Sequence, residues 1–185
     1  MTSRDTTRLV VLGALCAFLA APAWAQPPVS DTPGGPPVSQ CPVLAVTGQT
    51  SDGVQVSRSF SARAVVDLNF QIIFTSELER DRLVTLKVFS PTGHLYRAMA
   101  IPVAPPRGDS PAGARNVEGY PYPVPVHTAQ RAVAGNTTVW VADVTFPVAG
   151  TAIVSRGLDG TWRVETWLEG ATQPCLGRTT FSLRE

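Results

Sequence analysis

Apolar and polar residues alternate along most of the chain after residue 41, which is the pattern of β-strands with one buried face. The clearest apolar set is Ala64, Val66, Leu68, Phe70, Ile72 and Phe74. A second set alternates in the same way: Trp140, Ala142, Val144, Phe146 and Val148. A helix would scatter either set around its axis, so the pattern predicts two strands, each with one side in a core.

Shorter stretches with the same period predict further strands. Their buried sets are Val54, Val56 and Phe60; Val84, Leu86 and Val88; Leu95, Met99, Ile101 and Val103; Trp162, Val164 and Leu168; and Phe181 and Leu183. Residues 43–47 and 151–155 are also predicted strands. The total of about eight or nine strands indicates an all-β fold, either a sandwich or a barrel.

The predicted turns agree with this class of fold. Residues 90–93 have Pro in the second position and Gly in the fourth, which favours a type I turn. Asp159 and Gly160 suit a tight hairpin, and residues 48–53 read as a polar loop. Residues 76–79 resemble a capping box, which predicts at most a turn or two of helix.

Residues 104–136 form a long Pro-rich segment, which is unusual inside a compact domain. Proline in alternate positions between Tyr120 and Pro125 cannot donate to a central ladder, so the segment can be only an edge strand or an extended loop. It is either a functional insertion or an excursion that covers the edge of a sheet.

The first 25 residues have the pattern of a secretory signal peptide with a signal helix. Arg4 and Arg8 precede an apolar run of about 13 residues, and Ala23 and Ala25 stand at the positions that a signal peptidase reads. A bilayer span needs about 20 apolar residues. We therefore expect cleavage after Ala25 and no membrane span afterwards, with an uncleaved anchor as the alternative.

The chain of 185 residues then divides into a Pro- and Gly-rich linker at 26–40 and one β-sandwich domain at 41–185. Loss of the signal segment changes the formal charge from +1 to about zero. Because no Lys/Arg cluster stands out, nucleic acid and anionic membranes are not expected partners.

The cysteines predict one disulfide bond. Cys16 leaves with the signal segment, so Cys41 and Cys175 remain, one near each end of the domain. Two cysteines in an exported chain usually pair, and closing so long a loop stabilises a fold by about 5 kcal/mol. Two free thiols or a metal-binding pair are the alternatives.

Three short motifs resemble exported bacterial immunoglobulin-like and fibronectin III-like domains, and also the sandwich modules of macroglobulins. They are the hairpin at 88–96, the strand at 140–148 followed by Gly150, and the Gly-x-Trp strand at 160–164 with the last strand at 180–183. The resemblance covers residues 83–185 and implies an immunoglobulin-like β-sandwich. It implies a binding, spacing or assembly role and supplies no catalytic residue. Cys41 and Cys175 do not match the inter-sheet disulfide of antibody domains, because they lie near the ends.

No residue pattern points to catalysis, a cofactor or a metal. Ser110 lies in a segment that superficially resembles that of a serine-protease nucleophile, but Pro111 removes a backbone N–H that the site requires. His94 and His127 lack the dense set of neighbouring ligands that a metal site needs, and His94 is expected at a solvent-facing turn.

The aromatic residues suggest a binding surface. Trp162 and Trp167 are an odd number of residues apart on one strand, so they point to opposite faces. If Trp162 is in the core, Trp167 lies outside with Arg163, where it can form a platform with Tyr120 and Tyr122 for a protein or a sugar. Alternatively, the Pro-rich segment covers Trp167.

Together these patterns predict a non-enzymatic periplasmic or secreted interaction domain. It would bind an envelope or extracellular protein through a sheet face or edge and the Pro-rich loop. A small-ligand or carbohydrate-binding module that uses exposed aromatic residues is the alternative, and an enzyme would need a pocket that joins a histidine to a nucleophile or carboxylate.

Overall fold

The computed structural model describes residues 41–106, 113–175 and 177–185. The predicted signal peptide (1–25), the linker (26–40) and the segment around Ser110 lie outside the described residues.

The described chain consists mainly of strands, which confirms the predicted all-β class. In chain order the elements are β1 (Val43–Thr50), β2 (Gly53–Gln55), β3 (Ser59–Ser61), β4 (Val65–Phe74), β5 (Arg82–Phe89), β6 (Leu95–Ala104), β7 (Ala114–Arg115), β8 (Val124–Pro125), β9 (His127–Thr128), β10 (Gln130–Ala134), β11 (Thr137–Pro147), α1 (Ala152–Ser155), β12 (Gly160–Leu168) and β13 (Thr179–Arg184).

Two main sheets organise these strands, in an arrangement compatible with a β-sandwich. The first sheet has the order β10-β11-β4-β1-β2, and the second has the order β3-β13-β12-β5-β6-β9. Neighbours are antiparallel except β3–β13 and β6–β9, and β7 pairs with β8 separately. The predicted Pro-rich segment supplies β9 to the edge of the second sheet and β10 to the edge of the first.

An aromatic cluster lies in the core. Trp162 is fully buried on β12 and stacks on Phe181 with ring centroids 6.1 Å apart. The ring of Tyr96 meets Trp162 edge-on at 5.2 Å. The indole N–H of Trp162 donates to the Leu158 carbonyl at 3.1 Å. Phe181 also contacts Phe70 of the first sheet at 6.1 Å, so the cluster joins both sheets.

A bulge changes the predicted buried face of β4. Val66 has no partner on β1 because the register shifts there, and its carbonyl accepts from the N–H groups of Val148 and Ala149. Val65 is buried whereas Ala64 and Val66 are exposed. The prediction that Ala64 and Val66 share the buried face of this strand was therefore wrong, because one extra residue reverses the alternation.

A second register shift affects the start of β6. Tyr96 has no partner on β5, and it packs against the core. Leu95 is 54% exposed, although it was predicted to share a buried face with Met99. Of the predicted set, only Met99, Ile101 and Val103 are buried.

The predicted set of Val54, Val56 and Phe60 is not one strand. Val54 lies in β2 and is 62% exposed, Val56 lies in the link and is 85% exposed, and Phe60 is buried in β3. This link passes from the first sheet to the second, so the alternation does not continue across it.

Two further local predictions were wrong near residue 155. Residues 152–155 form a short helix because the Thr151 side chain caps it, accepting from the Ile153 N–H at 3.2 Å. Asp159 lies in the link between this helix and β12, which begins at Gly160, so these two residues do not form a hairpin between strands.

The other turn predictions had mixed outcomes. At residues 90–93 the Gly93 N–H donates to the Ser90 carbonyl at 2.9 Å, which confirms a turn. Residues 76–79 form no helix, and Leu78 is instead buried in the core. The predicted loop at 48–53 is shorter, since β1 continues to Thr50.

The structure confirms the pairing of Cys41 with Cys175. Their Cα atoms are 5.5 Å apart across a sequence separation of 134 residues. Cys41 precedes β1 of the first sheet and Cys175 follows β12 of the second, so the bond joins the two sheets. None of the helices in the described ranges has the length and apolar character needed to cross a bilayer.

Candidate functional site

A concavity of about 470 Å³ lies on the outer face of the second sheet, away from the core. Its floor is formed by β5, β6 and the end of β12, and its wall by the segment that follows β7. We call it the Trp167 concavity. Its lining includes Lys87, Ala98, Ala100, Arg115, Tyr120, Trp167 and Glu169.

The wall is fixed by a hydroxyl group that bonds to the edge of β6. The Ala100 N–H donates to the Tyr120 hydroxyl oxygen at 2.8 Å, and this hydroxyl donates to the Ala98 carbonyl at 3.3 Å. In the described chain β9 pairs with β6 only at Val103 and Ala104. Tyr120 therefore satisfies backbone groups that a neighbouring strand would otherwise bond.

An ion pair fixes the other end of the wall. Arg115 on β7 lies 2.9 Å from the carboxylate of Glu169, just after β12. Both side chains are more than one-third exposed, so the pair adds little to the stability of the fold. Its role is to hold the wall of the concavity against the end of β12.

Trp167 lies on the outer face, as the odd spacing from Trp162 predicts, and it is half-buried. The ammonium of Lys87 lies 3.8 Å from the centroid of its ring, in a cation–π contact. The indole Nε1 is buried and has no hydrogen-bond partner among the residues that the structure describes. Burying an N–H without an acceptor costs about 1–3 kcal/mol, so the site holds an unused donor.

Arg163 continues this face along β12. Its guanidinium lies 3.9 Å from the centroid of the Phe89 ring, and it pairs with Glu165. Glu165 stands opposite Lys87 in the register of β12 and β5. Cations and aromatic rings therefore alternate along the surface that leads into the Trp167 concavity.

The structure brings together part of the predicted binding set. Trp167 and Tyr120 line the same concavity, and Arg163 lies beside it on the same sheet face. Tyr122 is 79% exposed and does not belong to the lining. The predicted platform of Trp167, Tyr120 and Tyr122 does not form as one surface.

Sequence reasoning missed Lys87, Arg115 and Glu169. A signal existed for Lys87, the single lysine of the chain, because its parity is opposite to that of the buried Leu86 and Val88. No comparable signal existed for Arg115 and Glu169, which are 54 residues apart and meet only through the fold.

The histidines lie apart from this concavity. His94 is exposed at the β5–β6 turn, as expected. The Nδ1 of His127 lies 2.9 Å from the Asp143 carbonyl oxygen, where it links β9 to β11. Within residues 41–106, 113–175 and 177–185, no group of three His, Cys, Asp or Glu residues could hold a metal ion.

Replacing Tyr120 with phenylalanine is expected to lower the free energy of unfolding by about 1–3 kcal/mol, because the Ala100 N–H, in a residue only 7% exposed, loses its acceptor. Urea denaturation measures this loss, and amide exchange at Ala100 should accelerate. Tyr122→Phe is the matched control and should change stability by less than about 0.5 kcal/mol. Equal effects of the two substitutions would contradict the structural role of the Tyr120 hydroxyl.

Comparison with known protein families, with curated proteins and with solved structures found no match for this chain.

Proposed function

We propose that this chain is an exported, non-enzymatic interaction domain that binds another envelope or extracellular protein through the Trp167 concavity. The observation that carries the proposal is the half-buried Trp167, which lines a preformed concavity and whose buried N–H has no partner among the described residues. Tryptophan and arginine are enriched among the residues that dominate protein–protein binding energies. Here Trp167 and Arg163 lie on one sheet face. Each takes part in a cation–aromatic contact, Trp167 with Lys87 and Arg163 with Phe89.

A protein partner also fits the mixture of charges around the concavity. Lys87 and Arg115 supply cations, Glu169 supplies an anion, and Ala98 and Ala100 supply apolar floor. Such a surface combines an anchoring aromatic group with a polar rim, as protein interfaces do.

The geometry favours a protein over a carbohydrate. Sugars stack on open aromatic faces, but the Lys87 ammonium covers one face of Trp167. The Tyr120 hydroxyl is engaged by β6, and Tyr122 lies away from the concavity. The carbohydrate alternative therefore has fewer groups to use than the sequence pattern suggested.

Export and the immunoglobulin-like identity are parts of the same proposal. A disulfide between the two sheets supports folding in an oxidising compartment, such as the periplasm or the cell exterior. Two facing sheets, together with the short motifs that resemble exported immunoglobulin-like domains, support that identity for residues 83–185.

Site-specific photo-cross-linking tests the proposed interface. A benzophenone amino acid at Ala98, on the floor of the concavity, should give one discrete adduct with an envelope protein in cells. The same group at Val133, which is 73% exposed on β10 of the first sheet, is the control and should give none. The Ala98 adduct should disappear when Trp167→Ala is added. An absent adduct, or one that persists without Trp167, would contradict the proposal.

A further inference from the structure

A second concavity, of about 490 Å³, opens between β1 of the first sheet and β13 of the second. β2 pairs with β1 only at Gly48, Gln49 and Thr50. On this side, residues 43–47 of β1 therefore have no neighbouring strand within the described chain. β3 likewise pairs with β13 only from Ser182 to Arg184. We call the space between these two unpaired stretches the β1–β13 gap.

One hydrogen bond shows how the backbone of β1 faces the gap. The Thr179 hydroxyl of β13 donates to the Leu44 carbonyl at 3.1 Å, so this carbonyl points towards β13. Backbone groups of alternate residues point to the same side of a strand. The N–H and C=O groups of Val46 therefore face the gap as well, while those of the residues between pair with β4.

The rim of the gap is apolar and positively charged. Val43 and Val56 line it and are 56% and 85% exposed. Arg58 and Arg178 also line it, and both are exposed. No carboxylate belongs to the lining in the described part of the chain. The gap thus offers strand edges, aliphatic contacts and two cations.

We propose that the β1–β13 gap is a β-augmentation site for an extended acidic segment of a partner polypeptide. In this mode of recognition, main-chain hydrogen bonds to the free edge provide affinity and pockets for alternate side chains provide specificity. Residues 43–47 of β1 span about 17 Å. The Leu44 carbonyl is already bonded to Thr179, so the N–H of Leu44 and both backbone groups of Val46 are the ones that an added segment would pair with. Alternate aliphatic side chains would contact Val43 and Val56, and one or two carboxylates would pair with Arg58 and Arg178.

This inference is independent of the Trp167 concavity, because the two surfaces share no lining residue. The peptides and variants that test the gap leave Trp167, Lys87 and Tyr120 unchanged. If no peptide binds at the gap, the proposed interface at the Trp167 concavity is unaffected. If the cross-linking at Ala98 fails, the proposal for the gap is unaffected.

The test uses fluorescein-labelled peptides of seven residues with the purified protein. In the acidic peptide, Val alternates with Thr and two Asp residues stand at one end; in the basic peptide, Lys replaces Asp. Fluorescence anisotropy should show the acidic peptide binding with a dissociation constant below about 1 mM, and at least about tenfold more tightly than the basic one. Amide exchange at Leu44 and Val46 should slow when the acidic peptide binds.

Charge reversal gives a test that does not endanger folding, because both arginines are exposed. The double variant R58E/R178E should reverse the preference, so that the basic peptide binds more tightly. Arg156→Glu, an exposed arginine at the end of α1, is the matched control and should leave the preference unchanged. The peptide can also be varied. N-methylation of the peptide amides that face β1 should abolish binding, whereas N-methylation of the amides between them, on the other edge of the peptide, should not.

Three results would overturn the proposal. The first is no binding of either peptide at 1 mM or below, on the order of the weakest affinity expected. The second is binding that charge reversal and N-methylation do not affect. The third is binding that occurs only after residues 26–40 are removed, which would show that the chain's own preceding segment occupies the gap.

Discussion

Replacing Cys41 and Cys175 together with alanine is expected to lower the free energy of unfolding by about 5 kcal/mol. The bond closes a loop with a sequence separation of 134 residues, and its loss releases the entropy of that loop in the unfolded chain. A typical domain is stable by only about 5–15 kcal/mol, so the variant should be close to unfolding at room temperature. Urea denaturation of the oxidised protein and of the variant measures the difference.

Chemical reduction provides the control for this prediction. The wild-type protein in excess dithiothreitol should approach the stability of the double variant, because both lack the bond. Cys41→Ala alone should cost nearly as much as the double substitution, since one cysteine cannot form the bond. A double variant with an unchanged urea midpoint would show that the disulfide does not stabilise the fold.

Trp162→Ala is expected to lower the free energy of unfolding by about 4 kcal/mol. Trp162 is fully buried between the rings of Tyr96 and Phe181, so its removal leaves a cavity that these rings cannot fill. The Leu158 carbonyl also loses the indole N–H that bonds to it. Equilibrium unfolding, followed by far-ultraviolet circular dichroism, measures the loss.

The matched control is Trp167→Ala on the same strand. Trp167 is half-buried on the outer face, and its N–H has no partner in the described chain, so the loss should be about 1–2 kcal/mol. The two substitutions remove the same side chain from β12 and differ only in the face. Equal losses would contradict the assignment of Trp162 to the core and Trp167 to the surface.

Several features follow from the sequence because they depend on residues close together in the chain. The alternation in β5, β11 and β12 predicts their buried faces, since side chains in a strand point to opposite sides in turn. The same rule places Trp162 and Trp167 on opposite faces. The number and position of the cysteines predict the bond between Cys41 and Cys175.

Other features depend on contacts between distant segments, which no local pattern encodes. The bulges at Val66 and Tyr96 arise from the register with a neighbouring strand, and each reverses the alternation on one side of it. Residues 151–155 could form a strand by composition, but the Thr151 cap and the burial of Ile153 fix a short helix.

The two candidate surfaces belong to this second group. Arg115 and Glu169 meet because the segment after β6 returns over the second sheet, and the Tyr120 hydroxyl fixes it there. The β1–β13 gap exists because β2 and β3 are too short to cover the neighbouring edges. The sequence by itself determined the all-β class, most of the long strands, the opposite faces of the two tryptophans and the disulfide, because period, parity and cysteine number can be read without the fold. Only the tertiary structure decided which polar groups converge and which strand edges remain open, because those depend on the packing of segments far apart in the chain.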